Sequence, residues 1–243
     1  MIPPDLAMPS LEPPFDQALV EAIEYVFEIH GDVVAINLAG SVARGETDAR
    51  SNIDLYVIVG GDLRHRDQRI FSGVPVEMFF NPEGRARRAF DDDRKEGRAP
   101  GVALMAFGHI IYDPDGVFER LRADALDVME HGPAVTDQQV TRQRYGAVNQ
   151  LDNALDVVER DPAMAQILAT EAVSQAIAVW FIERGGWTPR AKDRLEALRR
   201  VDPEAADAVV QFILSGDITD AESAVGVLLG VSGFFEWESI PEP

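Results

Sequence analysis

The chain has 243 residues, 46% hydrophobic and 26% charged, with no cysteine and a formal net charge of −20. That length suits one large domain or two small ones with real cores, and the composition excludes wholesale disorder, collagen-like repeats and disulfide scaffolds. The absence of cysteine removes thiolate metal sites and thiol nucleophiles and fits a cytoplasmic protein, and an excess of 42 acids over 22 bases repels phosphate backbones and rules against nucleic-acid binding.

The first 14 residues, rich in proline and acids, lack the basic-then-apolar pattern of a signal peptide and read as a loosely ordered arm. From Phe15 to His30, apolar residues at three-four spacing predict an amphipathic helix that Gly31 stops. Apolar runs ending in or flanked by glycine predict strands at VVAINLAG (33–40), IDLYVIV (53–59) and VPVEMFF (74–80), and GHIIYD (108–113) reads as a fourth. Pro82 to Gly97 is helix-compatible, and DPDG turns the chain into a helix running to about Glu130.

After Gly132-Pro133 strand patterns vanish. Helix starts are predicted at Thr136 (with Gln139), Asp161-Pro162, Thr188-Pro189, Asp202-Pro203 and Thr219 (with Glu222). The expected organisation is therefore an arm at 1–14, an α+β domain at 15–132 and a helical bundle at 133–243, with a cleft between the halves. No uninterrupted apolar run reaches the roughly 18 residues of a membrane span, so no membrane partner is expected.

The chemistry concentrates between residues 39 and 80. Gly40 ends a strand where a residue without a Cβ lets backbone amides approach an anion, and Ser41 adds a hydroxyl at a turn whose free N–H groups suit a phosphate. On the next strand, alternation puts Ile53, Leu55, Val57 and Val59 in one core and Asn52 with Asp54 on the opposite face. Glu77 interrupts the third strand and can lie beside Asp54 if the two strands are neighbours. Oxygen side chains beside a phosphate-binding turn are what Mg²⁺-dependent phosphoryl or nucleotidyl transfer requires.

Gly-Ser, ten residues, an Asn52-x-Asp54 pair and then an isolated acid resemble the DNA polymerase β-type nucleotidyltransferase superfamily. The wording GSVARGETDARSNIDLYVIV, with HIIYDPDG and GWTPRAKDRLEAL further on, is similar to its small-molecule branch, which includes the aminoglycoside adenylyltransferases. That resemblance implies an α+β fold, one or two Mg²⁺ ions, and transfer of AMP from ATP to a hydroxyl of a small acceptor by a monomer or homodimer. It also implies roles: Gly40 and Ser41 hold the triphosphate, supported by Arg44, Ser51 and Lys192, the last on the helix opened by Thr188-Pro189. Asp54 and Glu77 are the metal-binding and catalytic carboxylates, Asn52 is the third metal oxygen, and Glu77 or Glu171 is the general base.

The family pair is normally Asp-x-Asp, and Asn52 offers one carbonyl oxygen without the charge. The alternative is thus a degenerate nucleotide-binding protein on the same fold. A third reading, modification of a protein partner, is opposed by the large helical half. An acidic surface suits a cationic acceptor such as an aminoglycoside. Asp91-Asp92-Asp93 reads as a solvated helix face, and the four histidines show no pair at metal-ligand spacing.

Overall fold

The structure is a computed structural model that describes residues 3–48 and 50–239. The chain divides into two compact units. One runs to Asp93 and includes Ala99–His131; the other comprises Arg94–Arg98 and the chain from Gly132 onward.

The first unit is a mixed five-stranded sheet with helices on both faces. Its elements are α1 (Phe15–Ile29), β1 (Val33–Ala39), α2 (Gly40–Ala43), β2 (Ile53–Val59), β3 (His65–Phe71), β4 (Val74–Asn81), α3 (Glu83–Glu96), α4 (Pro100–Ala106), β5 (His109–Tyr112) and α5 (Val117–His131). The strand order is β3-β4-β2-β1-β5. β2 and β4 are parallel, and every other pairing is antiparallel.

Period-two alternation sorts β2 between two cores. Ile53, Leu55, Val57 and Val59 pack with Ala18, Leu19, Ala22, Ile23 and Val26, the apolar stripe of α1. Tyr56 and Ile58 pack on the other face with Phe90 of α3, Met105 of α4 and Phe118 of α5. The strands at 33–40, 53–59, 74–80 and 108–113 are all present to within a residue or two.

β3 has no counterpart in the sequence-based expectation. It is an edge strand, mostly exposed, whose His-Arg-Asp-Gln-Arg run offers no apolar face to read. Charged side chains of this kind keep an edge from pairing with another chain. A two-residue turn, Ser72-Gly73 with φ of 45° and 81°, closes the β3–β4 hairpin and matches the primed turns such hairpins prefer.

The N-terminal segment is docked rather than loose. Leu6 and Leu11 pack on the core beneath α1. The Ala7 N–H donates to the Ile111 carbonyl at 2.8 Å, and His109 Nε2 lies 2.7 Å from the Ala7 carbonyl.

The second unit is helical: α6 (Asp137–Val157), α7 (Pro162–Glu183), α8 (Arg194–Val201), α9 (Pro203–Ser215) and α10 (Ile218–Leu229). Thr136 and Gln139 form a complete capping box at α6, and Asp161 and Asp202 cap α7 and α9 through the Met164 and Ala205 N–H groups. Two expected starts differ. Asp217, not Thr219, caps α10, accepting from the Thr219 N–H at 2.9 Å. Thr188-Pro189 opens no helix, because the Thr188 N–H is bound to the Gly97 carbonyl and Thr188 bridges to Arg98.

α7 is the centre of this bundle, with nine buried residues. By length and composition it is apolar enough to cross a membrane, at mean hydropathy 1.4, but half of that stretch is buried in the protein. A helix apolar on most of its circumference is what the middle of a bundle demands. Gln166, Thr170, Glu171, Ser174 and Gln175 interrupt it, which is why no continuous apolar run marks it in the sequence.

Candidate active site at the start of β2

Asp54 is the second residue of β2 and pairs with Ala39 at the end of β1 on one side and with Glu77 of β4 on the other. Register partners on parallel strands stand about 4.8 Å apart and share a face, so Asp54 and Glu77 are side by side. The opposite face is the apolar core of Leu55 and Met78, both fully buried, which locks this register: a slip of one residue in either strand would turn that strand's carboxylate into the core.

Gly40 completes the corner. It adopts φ +73°, and a Cβ there would overlap Asp54 Oδ2 and stand 3.0 Å from Asp54 Cγ. Only glycine lets the carboxylate lie on this backbone. α2 is a single turn, so the Gly40-Ser41 corner offers backbone amides and the Ser41 hydroxyl rather than a helix dipole.

The carboxylates already have partners. Asn52 Nδ2 donates to Asp54 Oδ1 at 2.7 Å. Glu77, whose side chain is 15% exposed, forms an ion pair with Arg66 and accepts from Gln68 Nε2 at 2.8 Å. Arg66 also lies over the Phe79 ring, 4.7 Å from its centroid. Both partners come from β3 and are register neighbours of Glu77 and Phe79. They were not legible in the sequence, since nothing there marks β3 as a strand beside β4.

An open groove of about 830 Å³ adjoins this corner, lined by Asn52, Glu77, Gln68, Arg69, Ile70 and Pro75 among others. At its far wall Tyr25 donates to Asp67 at 2.8 Å, with Arg69 on the same carboxylate at 2.9 Å. Desolvation and the adjacent Asp67 carboxylate raise the Tyr25 pKa.

The structure therefore gathers Gly40, Ser41, Asn52, Asp54 and Glu77. Arg44 and Ser51 are occupied in the connecting loop: Arg44 Nε donates to Glu46 at 2.8 Å, and the Ser51 hydroxyl exchanges hydrogen bonds with Asp48. Lys192 is exposed in the turn before α8, not on a helix opened by Thr188-Pro189, and Glu171 accepts from Gln150 at 2.8 Å. Both belong to the helical unit. Within Asp91-Asp92-Asp93 only the first two are solvated, since Asp93 is buried and accepts from the Val102 N–H at the start of α4.

No family model matches the sequence, and no curated protein matches it. Among solved structures, the chain is similar to a nucleotidyltransferase-like protein from Exiguobacterium sibiricum 255-15, at 14% identity and a TM-score of 0.52. The match covers 88% of this chain and 74% of that one. The fold is thus nucleotidyltransferase-like: a small mixed sheet with flanking helices, followed by a helical bundle.

Proposed function

We propose that this chain is a Mg²⁺-dependent nucleotidyltransferase that moves AMP from ATP to a hydroxyl of a small cationic acceptor such as an aminoglycoside. The observation that carries the reading is the in-register Asp54–Glu77 pair set against the Cβ-free corner at Gly40.

The donor set suits Mg²⁺, a hard cation that takes one or two carboxylates and fills its shell with water and substrate phosphates. Asp54 and Glu77 would hold it, and Asn52 would add its carbonyl oxygen by turning the amide that now donates to Asp54. Bound there, the ion would neutralise polyphosphate charge. The protein's own part is to fix the two carboxylates from one rigid sheet, so that little reorganisation is left for the reaction. Gly40 and Ser41 would present backbone amides and a hydroxyl to the phosphates. Glu77 would accept the acceptor hydroxyl's proton once Arg66 releases it, and the open groove has room for a small molecule. The net charge of −20 favours a cationic acceptor, and a cytoplasmic setting would supply Mg²⁺ and ATP.

A second reading, a nucleotide-binding protein without transfer, is favoured by one observation: amide and guanidinium donors already occupy both carboxylates. Incubation with Mg²⁺, ATP and an aminoglycoside panel, following pyrophosphate release, separates the two. Transfer predicts release that Asp54→Ala abolishes. Silence that Asn52→Asp rescues, or silence throughout with ATP still bound, supports the second reading.

A further inference from the structure

His30 caps the C-terminal end of α1 and His65 begins β3, yet their Nε2 atoms stand 3.3 Å apart with ring centroids separated by 5.0 Å. We propose that these two imidazoles form a chelating site for a first-row transition cation of the Zn²⁺ or Ni²⁺ kind. Zinc lies about 2.0–2.1 Å from each imidazole nitrogen in tetrahedral geometry, which separates two nitrogens on one ion by about 3.4 Å. The pair is already at that separation, joined by an Nε2–H···Nε2 hydrogen bond whose proton the cation would displace.

Two surroundings favour a ligand pair over two rings that merely touch. First, Phe80 is fully buried and packs on both imidazoles, with centroids at 4.6 Å from His30 and 4.3 Å from His65, so the rings are held before any ion arrives. Second, Asp32 Oδ1 faces His30 Nδ1 at 3.4 Å. A carboxylate on the outer nitrogen places the ring proton there and leaves the Nε2 lone pair turned toward His65, as behind most metal-bound histidines.

The site lies away from the carboxylate corner. Asp32 and His30 flank the end of β1 that pairs with Val59, whereas Asp54 pairs with the other end, roughly 16 Å along β2 at about 3.3 Å per residue. Its chemistry differs as well: imidazole suits zinc, nickel and copper, and Mg²⁺ prefers oxygen. Among the described residues no group of three or more His, Asp and Glu side chains converges as a cage. The site is therefore open, its remaining positions filled by water, and the bound ion fastens the end of α1 to the edge strand β3.

The test is calorimetric titration of metal-free full-length protein with Ni²⁺, with Mg²⁺ in excess to compete at oxygen ligands, together with melting curves. Saturation near one equivalent with a rise in Tm is expected. His30→Ala and His65→Ala should each abolish both, Asp32→Asn should weaken binding about tenfold, and His131→Ala should change nothing. Failure to saturate, or saturation that survives either alanine, overturns the proposal. Should an alanine variant not fold, Co²⁺ added to the wild-type protein provides the second measurement. Selective broadening of the His30 and His65 ring resonances is expected, and broadening centred elsewhere overturns the site.

Discussion

Gly40 carries two constraints at one atom: its φ of +73° disfavours any side chain, and the space a methyl would need is held by Asp54 Oδ2. Gly40→Ala must therefore move either the backbone or the carboxylate. We expect a loss of at least about 1 kcal/mol in stability by denaturant titration and loss of ATP binding together. Arg66 makes a separate prediction. Removing its charge from beside Glu77 in Arg66→Gln takes away a competitor for an incoming cation. The pair is partly exposed, where such pairs are worth up to about 1 kcal/mol, so Mn²⁺ affinity should rise roughly twofold to fivefold. The contrast shows what a sequence holds at this scale. Alternation put Asn52 and Asp54 on one face, and Glu77 joins them because β4 lies beside β2 in the register that the buried Leu55–Met78 layer fixes. Arg66 and Gln68 stayed invisible because their strand has no apolar side to reveal it.

Elements were legible where burial imposes a period over a long enough run; α4, with Val102, Met105 and Ala106 buried in only seven residues, was not foreseen. α1, β1, β2 and β4 each press an apolar face on a core, and the sequence records that face at 3.6 or 2 residues. β3, an exposed edge, has no such record. Helix starts in the second unit followed their caps where the predicted residue directly precedes the first turn, as Thr136, Asp161 and Asp202 do. Thr219 misled because it lies inside the first turn, where its own N–H is taken by the Asp217 carboxylate two residues earlier. Thr188-Pro189 misled because the Thr188 backbone is used in a pairing with residues 97–98 that local pattern cannot foresee. The pairing of α6 with its neighbours is likewise a matter of tertiary placement, and it carries a pH prediction. Desolvation first, then Asp156 and Glu222, raise the Asp152 pKa. A carboxylate whose folded pKa is raised favours the folded state below its unfolded value, near 4, and loses that contribution as pH rises through the folded value. At neutral pH ionised Asp152 is therefore a liability. Asp152→Asn should raise Tm at pH 7, with the gain shrinking as pH falls through the carboxylate range.

At the scale of the whole molecule the dominant fact is the excess of 20 negative charges. Many arginines are committed to nearby acids, as in Arg44–Glu46, Arg69–Asp67, Arg144–Glu183 and Arg199–Glu196. Such pairs are each worth about 0–1 kcal/mol near the surface, and salt weakens them. Salt also screens the repulsion among the unmatched carboxylates, and the Debye length falls from about 30 Å at 0.01 M to about 8 Å at 0.15 M. The two effects oppose one another. With 42 acids against 22 bases, each added acid–base pair leaves the 20 surplus acids repelling one another, so the repulsion outweighs the pairs. Melting temperature at neutral pH should therefore rise from low to physiological ionic strength, where a protein stabilised mainly by its surface ion pairs would fall. The same field draws cations toward the Asp54–Glu77 corner, so Mn²⁺ affinity should drop over the same salt range. Scanning calorimetry and a parallel Mn²⁺ titration read the two trends, and they should run in opposite directions.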